Sequence, residues 1–195
     1  MANESGYEKI IKHSSQRIIQ LLNILKEYSP VYLTQNGVTM KVNRNRNALS
    51  GLVLTQQRFT TKVLYNLLKD VKEVNPIEFG FLKHDFIVGF NINPFTNTRE
   101  QHYTKKLSQQ ALLKFKNGNL NCLISTSVLE EGVDIPQCLL VVRYDQPLEY
   151  RSYIQSKGRA RSKVSSFVLL VDESRRGKFA LQYLEFQKIE EYVHK

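Results

Sequence analysis

The sequence predicts an α/β fold with a mostly parallel central sheet. Short apolar runs recur at Gly51–Thr55, Asp85–Phe90, Cys122–Thr126, Leu139–Tyr144 and Phe167–Val171. The last three are continuous rather than alternating, which marks strands covered on both faces. Between the runs lie segments of helical periodicity, and strands alternating with helices are the signature of a parallel sheet with helical crossovers.

Taken in order, residues 1–6 show no periodicity and read as an unstructured start. From Tyr7 to about Tyr28 the pattern is helical, with Ile11, Ile18, Leu22 and Leu25 near one face. Ser29-Pro30 ends it, because the residue before a proline is pushed out of the helical region. Val31 to Val42 alternates around Asn36-Gly37, a dipeptide suited to a tight hairpin turn. Asn43 to Asn47 is a polar linker. After the Gly51–Thr55 strand, a helix is predicted over Phe59 to Val71, with Val63, Leu64, Leu67, Leu68 and Val71 on one side. Residues 91–100 form a polar loop that ends in Thr98-Arg99-Glu100-Gln101, a capping-box pattern. The helix that follows runs to about Lys116 with Leu107, Ala111, Leu112 and Phe115 inward, and Asn117-Gly118 stops it. Pro147 is placed to start a helix that would set Arg151, Gln155 and Arg159 on one stripe. Gly177 to Lys195 reads as a final helix. This divides the chain into an N-terminal helix and linker (1–49), an α/β body (50–172) and a C-terminal helix (173–195).

Composition narrows the functional classes. With 42% hydrophobic and 24% charged residues the chain matches a soluble globular domain. It has no apolar run of membrane-spanning length and no leader pattern, so a cytoplasmic protein without a membrane partner is expected. Cys122 and Cys138 sit in apolar runs and read as reduced core thiols. The four histidines are scattered, so no metal site is expected. A net charge of +10 favours a polyanionic partner, most simply nucleic acid.

The charge concentrates where the most specific motif lies. Residues 155–161 read Gln-Ser-Lys-Gly-Arg-Ala-Arg, and five cations with no acid fall between Arg151 and Lys163. Such crowding is costly unless an anion meets it, and the planar fork of arginine suits phosphate oxygens. Upstream stands Ser125-Thr126-Ser127-Val128-Leu129-Glu130-Glu131-Gly132-Val133-Asp134-Ile135-Pro136. The segment Gln56-Gln57-Arg58-Phe59-Thr60 follows the first strand of the body. No Gly-x-x-x-x-Gly-Lys-Ser/Thr phosphate loop occurs. Asp172-Glu173 after an apolar run imitates a magnesium-binding strand end, but its position after the arginines argues for a plain strand end.

These segments resemble motifs VI, V and IV of superfamily 2 helicases. With Tyr150-Arg151-Ser152-Tyr153 ahead of the glutamine, they are most similar to the Dicer family, over roughly residues 50–172. The antiviral RNA-sensor helicases are the next nearest resemblance. The resemblance implies a RecA-like three-layer domain, the second of two such domains in a double-stranded-RNA-dependent ATPase. It implies that Arg159 and Arg161 act as arginine fingers on ATP held by the N-terminal RecA-like domain, with Gln155 placing the attacking water or touching phosphate. Gly132, Asp134 and Gly158 would line the nucleotide. Gln56, Arg58, Thr60, Thr126, Glu131 and Arg151 would face RNA. Mg²⁺ would belong to the parent protein rather than to this chain, which alone would be inactive. The Dicer resemblance further implies a ribonuclease parent in small-RNA silencing and a double-stranded-RNA-binding protein as a docking partner. A pure protein-docking module and a DNA helicase half are the other readings the residues allow.

Overall fold

A computed structural model describes residues 5–35, 38–43, 48–89, 98–126 and 134–193. Its centre is a five-stranded sheet of β3 (Gly51–Thr55), β4 (His84–Ile87), β5 (Cys122–Thr126), β6 (Leu140–Arg143) and β7 (Ser166–Leu169). The strands lie in the order β4-β5-β3-β6-β7, and all four pairings are parallel. The three central strands are buried at every position, as their continuous apolar runs require. A separate antiparallel hairpin joins β1 (Pro30–Gln35) to β2 (Val38–Asn43), with Gln35 opposite Val38. The expected strand pair is therefore present, while its Asn36-Gly37 turn lies outside the described residues.

Alternation along the strands builds a core on each face. Val53, Ile124 and Val142 sit in register and face one side. There they meet Leu21, Leu22 and Leu25 of α2 (Gln16–Lys26) and Leu64, Leu68 and Val71 of α3 (Arg58–Val74), with Phe79 from the short α4 (Pro76–Phe79). Leu52, Leu54, Leu123 and Val141 face the other side, against Ala111 and Phe115 of α5 (Thr98–Lys116) and Ile135 and Cys138. Helices on both faces of a parallel sheet make the three layers expected. Cys122 lies in the first core and Cys138 in the second. Burial pushes both thiols up to about 12, aided at Cys122 by Cys138 and opposed at Cys138 by Arg159. The remaining helices are α6 (Tyr150–Lys157) and α7 (Arg176–Val193), the latter preceded by a 3-10 turn over Glu173–Arg175. Tyr153 of α6 stacks on Phe186 of α7 at 5.3 Å, and Lys157 Nζ donates to Glu190 at 2.7 Å. Among the described residues, no helix is long and apolar enough to cross a membrane.

Several sequence expectations need correction. The helix expected over Tyr7–Tyr28 is two: α1 (Gly6–Lys12), opened by a Ser5/Glu8 capping box, and α2, whose N-cap is Ser15. A hydroxyl that accepts from a first-turn N–H stabilises a new helix start, while the apolar phase runs across the break and hides it. Leu107 and Val63, expected inward, are exposed. Leu107 lies a full turn before Ala111, whose side chain packs in the second core. α6 begins at Tyr150 rather than at Pro147. Arg143, almost fully buried, donates to Asp145 O at 3.3 Å and Ser152 Oγ at 3.1 Å, and so ties the strand end to the first turn of α6.

His84 makes the fold sensitive to acid. Its Nε2 lies 3.1 Å from Tyr65 O, so in the neutral ring Nε2 donates. Nδ1 is buried with no hydrogen-bond partner. Burial lowers the imidazole pKa from 6.5, the Tyr65 carbonyl raises it, Lys72 lowers it and Asp85 raises it. The unfolded chain therefore binds the proton more readily than the folded one. The contribution of His84 is fully present above about pH 6.5 and is lost as pH falls through the lower folded value. Urea melts across this range are expected to lose stability toward low pH in the parent chain, with a shallower slope in His84→Phe.

Candidate functional site

A parallel sheet has two unlike edges, and the motifs divide between them. The carboxyl ends of β3, β5, β6 and β7 form one edge. β3 leads into Gln56, whose N–H donates to Asp145 Oδ2 at 2.8 Å and whose amide Nε2 donates to Gln146 O at 2.6 Å. The turn is pinned from below: Thr55 and Thr61 hydroxyls lie 2.6 Å apart, and Thr61 Oγ1 donates to Gln57 O at 3.1 Å. Gln57, the N-cap of α3, makes no side-chain cap bond. The first-turn N–H groups of a long helix therefore open at this edge beside exposed Arg58 and half-buried Thr60, an arrangement that suits phosphate oxygens. Thr126 ends β5. It is buried, and its Oγ1 accepts from Gly89 N at 3.0 Å, which fastens the segment after β4. Arg151, exposed on the first turn of α6, completes the group.

The other edge is made by the segments entering the strands. Gly51 N donates to Asn121 O at 2.9 Å, Leu139 N to Ser50 O at 2.8 Å and Ser166 N to Leu139 O at 2.8 Å, which ties together the amino ends of β5, β3, β6 and β7. Cys138 N donates to Arg159 O at 3.3 Å, which brings the end of α6 to the same edge. A helix of eight residues carries the chain roughly 12 Å along its axis, far enough to separate Arg151 from Arg159. Asp134 is also here, exposed, with Lys116 Nζ at 2.8 Å from its Oδ2. The Lys116 hydrogen bond and charge hold the Asp134 carboxyl below its ordinary 3.8, and Arg159 and Arg161 lower it further. Lys116, Arg159 and Arg161 thus all favour the charged form of Asp134. Arg161 Nε donates to Gly158 O at 2.8 Å, which fixes its guanidinium beside the end of α6. That single bond uses one of five N–H donors.

The geometry revises two sequence readings. The expected stripe of Arg151, Gln155 and Arg159 does not form, because α6 ends at Lys157 and Arg159 lies in the turn beyond its cap. Gln155 stays on the helix, half-buried between the two edges. Gly158 has φ −64° in the right-handed region, and a Cβ there would meet Ile154 O at 3.2 Å. The tight space at Gly158 is internal to the helix end. Asp134, Gly158, Arg159 and Arg161 stand at the amino ends of the strands. Crossovers of a parallel sheet must return the chain to the amino edge before the next strand begins. Glu131 and Gly132 lie outside the described residues.

Lys116, Asp145 and Arg17 are not among the site residues that the sequence suggests. Asp134 lies 18 residues from Lys116, and Arg17 lies 128 from Asp145, so no local pattern could pair them.

Residues 44–163 match the family described as "Helicase conserved C-terminal domain". The chain belongs to this family, and its fold is that of a superfamily 2 helicase C-terminal domain. Its curated relatives include Dicers. The chain is 34% identical to Endoribonuclease Dicer of Danio rerio, with 94% of the chain and 12% of the relative covered. It is 35% identical to Endoribonuclease dcr-1 of Caenorhabditis elegans over 99% of the chain and 10% of that relative. The chain thus spans about a tenth of these relatives. Among solved structures, the C-terminal domain of the DEAD-box protein Dbp5 aligns with TM-score 0.56 at 19% identity, covering 91% of this chain and 80% of that one. The Pyrococcus furiosus Hef helicase domain aligns at 0.53 and 21% identity, over 89% and 30%. Both support the RecA-like fold.

The Lys116–Asp134 pair is open to direct measurement. Replacing Lys116 with Met is expected to raise the Asp134 carboxyl pKa toward its ordinary value, as followed by carboxyl-carbon NMR titration. An unmoved titration would mean that the pair does not persist in solution.

Proposed function

We propose that this chain is the second RecA-like domain of a double-stranded-RNA-dependent ATPase within a Dicer-type endoribonuclease. The observation that carries this reading is the sorting of motif residues onto opposite edges of one sheet. Gln56, Arg58, Thr60, Thr126 and Arg151 gather at the carboxyl edge, where backbone and arginine donors suit an RNA sugar–phosphate chain. Such contacts position a protein without reading sequence. Arg159, Arg161 and Asp134 gather at the amino edge, where two guanidinium groups beside one carboxylate suit a nucleotide triphosphate. Each ligand then has its own surface, and α6 joins the two.

ATP, held by an N-terminal RecA-like domain together with Mg²⁺, supplies the phosphoryl group transferred to water. On this chain, Arg159 and Arg161 meet the charge that develops on the γ-phosphate, and Gln155 helps to place the water. Asp134 accepts from the ribose or orients the arginines, and Gly132 and Gly158 line the nucleotide. Glu131 contributes to the RNA side, where a carboxylate accepts from a 2′-hydroxyl. The family likeness and the clustering of Asp134 with both arginines support these roles. A double-stranded-RNA-binding protein as docking partner and a cytoplasmic location complete the reading by analogy with Dicers.

The test is RNA-stimulated ATP hydrolysis by the full-length protein carrying Arg159→Ala. The expected loss is about 10³–10⁵-fold, the worth of an arginine finger, with duplex-RNA affinity retained. Unchanged hydrolysis would sink the finger role and leave a docking domain without ATP chemistry. A second variant addresses the other edge. Arg58→Ala should weaken duplex binding evenly across sequences and reduce the slope of log affinity against log salt by about one. A slope equal to the parent's would remove Arg58 from the RNA surface.

A further inference from the structure

Arg17 belongs to no helicase motif, yet its guanidinium reaches the carboxyl edge of the sheet. Nη1 donates to Tyr144 O at 3.3 Å and to Asp145 Oδ1 at 3.1 Å. Nε lies 2.9 Å from Asp172 Oδ1, an ion pair whose alignment falls short of a hydrogen bond. The guanidinium carbon also stands 5.0 Å from the centroid of the Tyr144 ring. One side chain of α2 thus binds the segments that leave β6 and β7. Of the carboxylates it joins, Asp145 is largely shielded, at 19% exposure, and Asp172 is more open, at 41%. A bidentate cation between two acids is a job for the arginine fork rather than for a lysine point charge.

The contact continues through the carboxylate. Asp145 uses Oδ1 for Arg17 and Oδ2 for the Gln56 N–H, the latter at 2.8 Å. Gln56 opens the turn that presents Arg58 and the uncapped start of α3. We propose that Arg17 is a positioning residue for this turn: it fixes the Asp145 carboxylate, and Asp145 fixes the Gln56 backbone in the geometry that meets an RNA phosphate chain. The proposal rests on the RNA role assigned above to the carboxyl edge. Without Arg17, Asp145 and Asp172 would share one region with no cation between them. Their repulsion would turn Asp145 away from Gln56 N–H and loosen the turn. The relay also makes the seating of α2 a determinant of the RNA surface.

The test uses the isotope-labelled 195-residue chain and a short blunt RNA duplex of mixed sequence. Two readouts are taken: hydrogen exchange at the Gln56 amide, and duplex affinity by fluorescence anisotropy. Arg17→Met and Asp145→Asn should each speed Gln56 exchange and weaken duplex binding about tenfold, the scale of one hydrogen bond to a charged group. The double variant should be no weaker than either single one, and Arg17→Lys should restore part of both losses. Faster unfolding or a lowered Tm with Gln56 exchange and affinity both at parent values would overturn the proposal and leave Arg17 as a structural tie. So would weakened binding in Arg58→Ala with full binding in Arg17→Met. Faster Gln56 exchange with unchanged affinity in both Arg17→Met and Arg58→Ala would support the relay and sink the RNA reading of the turn instead. If Arg17→Met does not fold, Asp145→Asn carries the same comparison.

Discussion

A parallel sheet buried on both faces governs the rest of this molecule. Every strand must run the same way, so every connection must carry the chain back across the sheet. Side chains just after a strand and side chains just before the next one are therefore held at opposite edges. In this chain the segment after β3 presents Gln56 and Arg58, while the segment before β6 presents Asp134. α6 starts at one edge with Arg151 and ends at the other beside Arg159. Topology alone thus gives this domain two separate surfaces. The hydrophobic effect supplies the rigidity. Val53, Ile124 and Val142 face one core, Leu52 and Val141 the other, and all five are essentially buried. A shift of one residue in any central strand would exchange the faces and leave both cores with the wrong side chains.

The cations behind the net charge of +10 differ in their surroundings. Arg17 is consumed by Asp145 and Asp172, and Arg143 is buried under the start of α6. Lys116 is paired to Asp134, and Lys157 to Glu190. These pairs hold the two edges in shape. Arg58, Arg151 and Arg161 stand exposed at the edges themselves. Exposed pairs such as Lys116–Asp134 contribute little stability, so the value of that pair lies in orienting the carboxylate.

The sequence disclosed the sheet because its strands carry continuous apolar runs, and Cys122–Thr126 was legible to the residue. It disclosed the motif residues because their order and spacing are local. Three things were hidden. The break between α1 and α2 falls inside an unbroken apolar phase, so only the Ser15 cap distinguishes it. The end of α6 at Lys157 was missed because arginines at helical spacing continue past it. The division into two edges depends on strand order, which periodicity does not encode. Arg17 was invisible for the same reason: its partners are more than a hundred residues away.

RNA and nucleotide are proposed to meet opposite edges of one sheet, and amide chemical-shift mapping of the labelled chain during titration with duplex RNA separates the two. Shifts are expected at Gln56–Thr60, Gly89, Thr126 and Tyr150–Arg151, with Asp134–Cys138 and Gly158–Arg161 unmoved. Shifts concentrated at Asp134 and Gly158–Arg161 would place RNA on the amino edge and overturn that division.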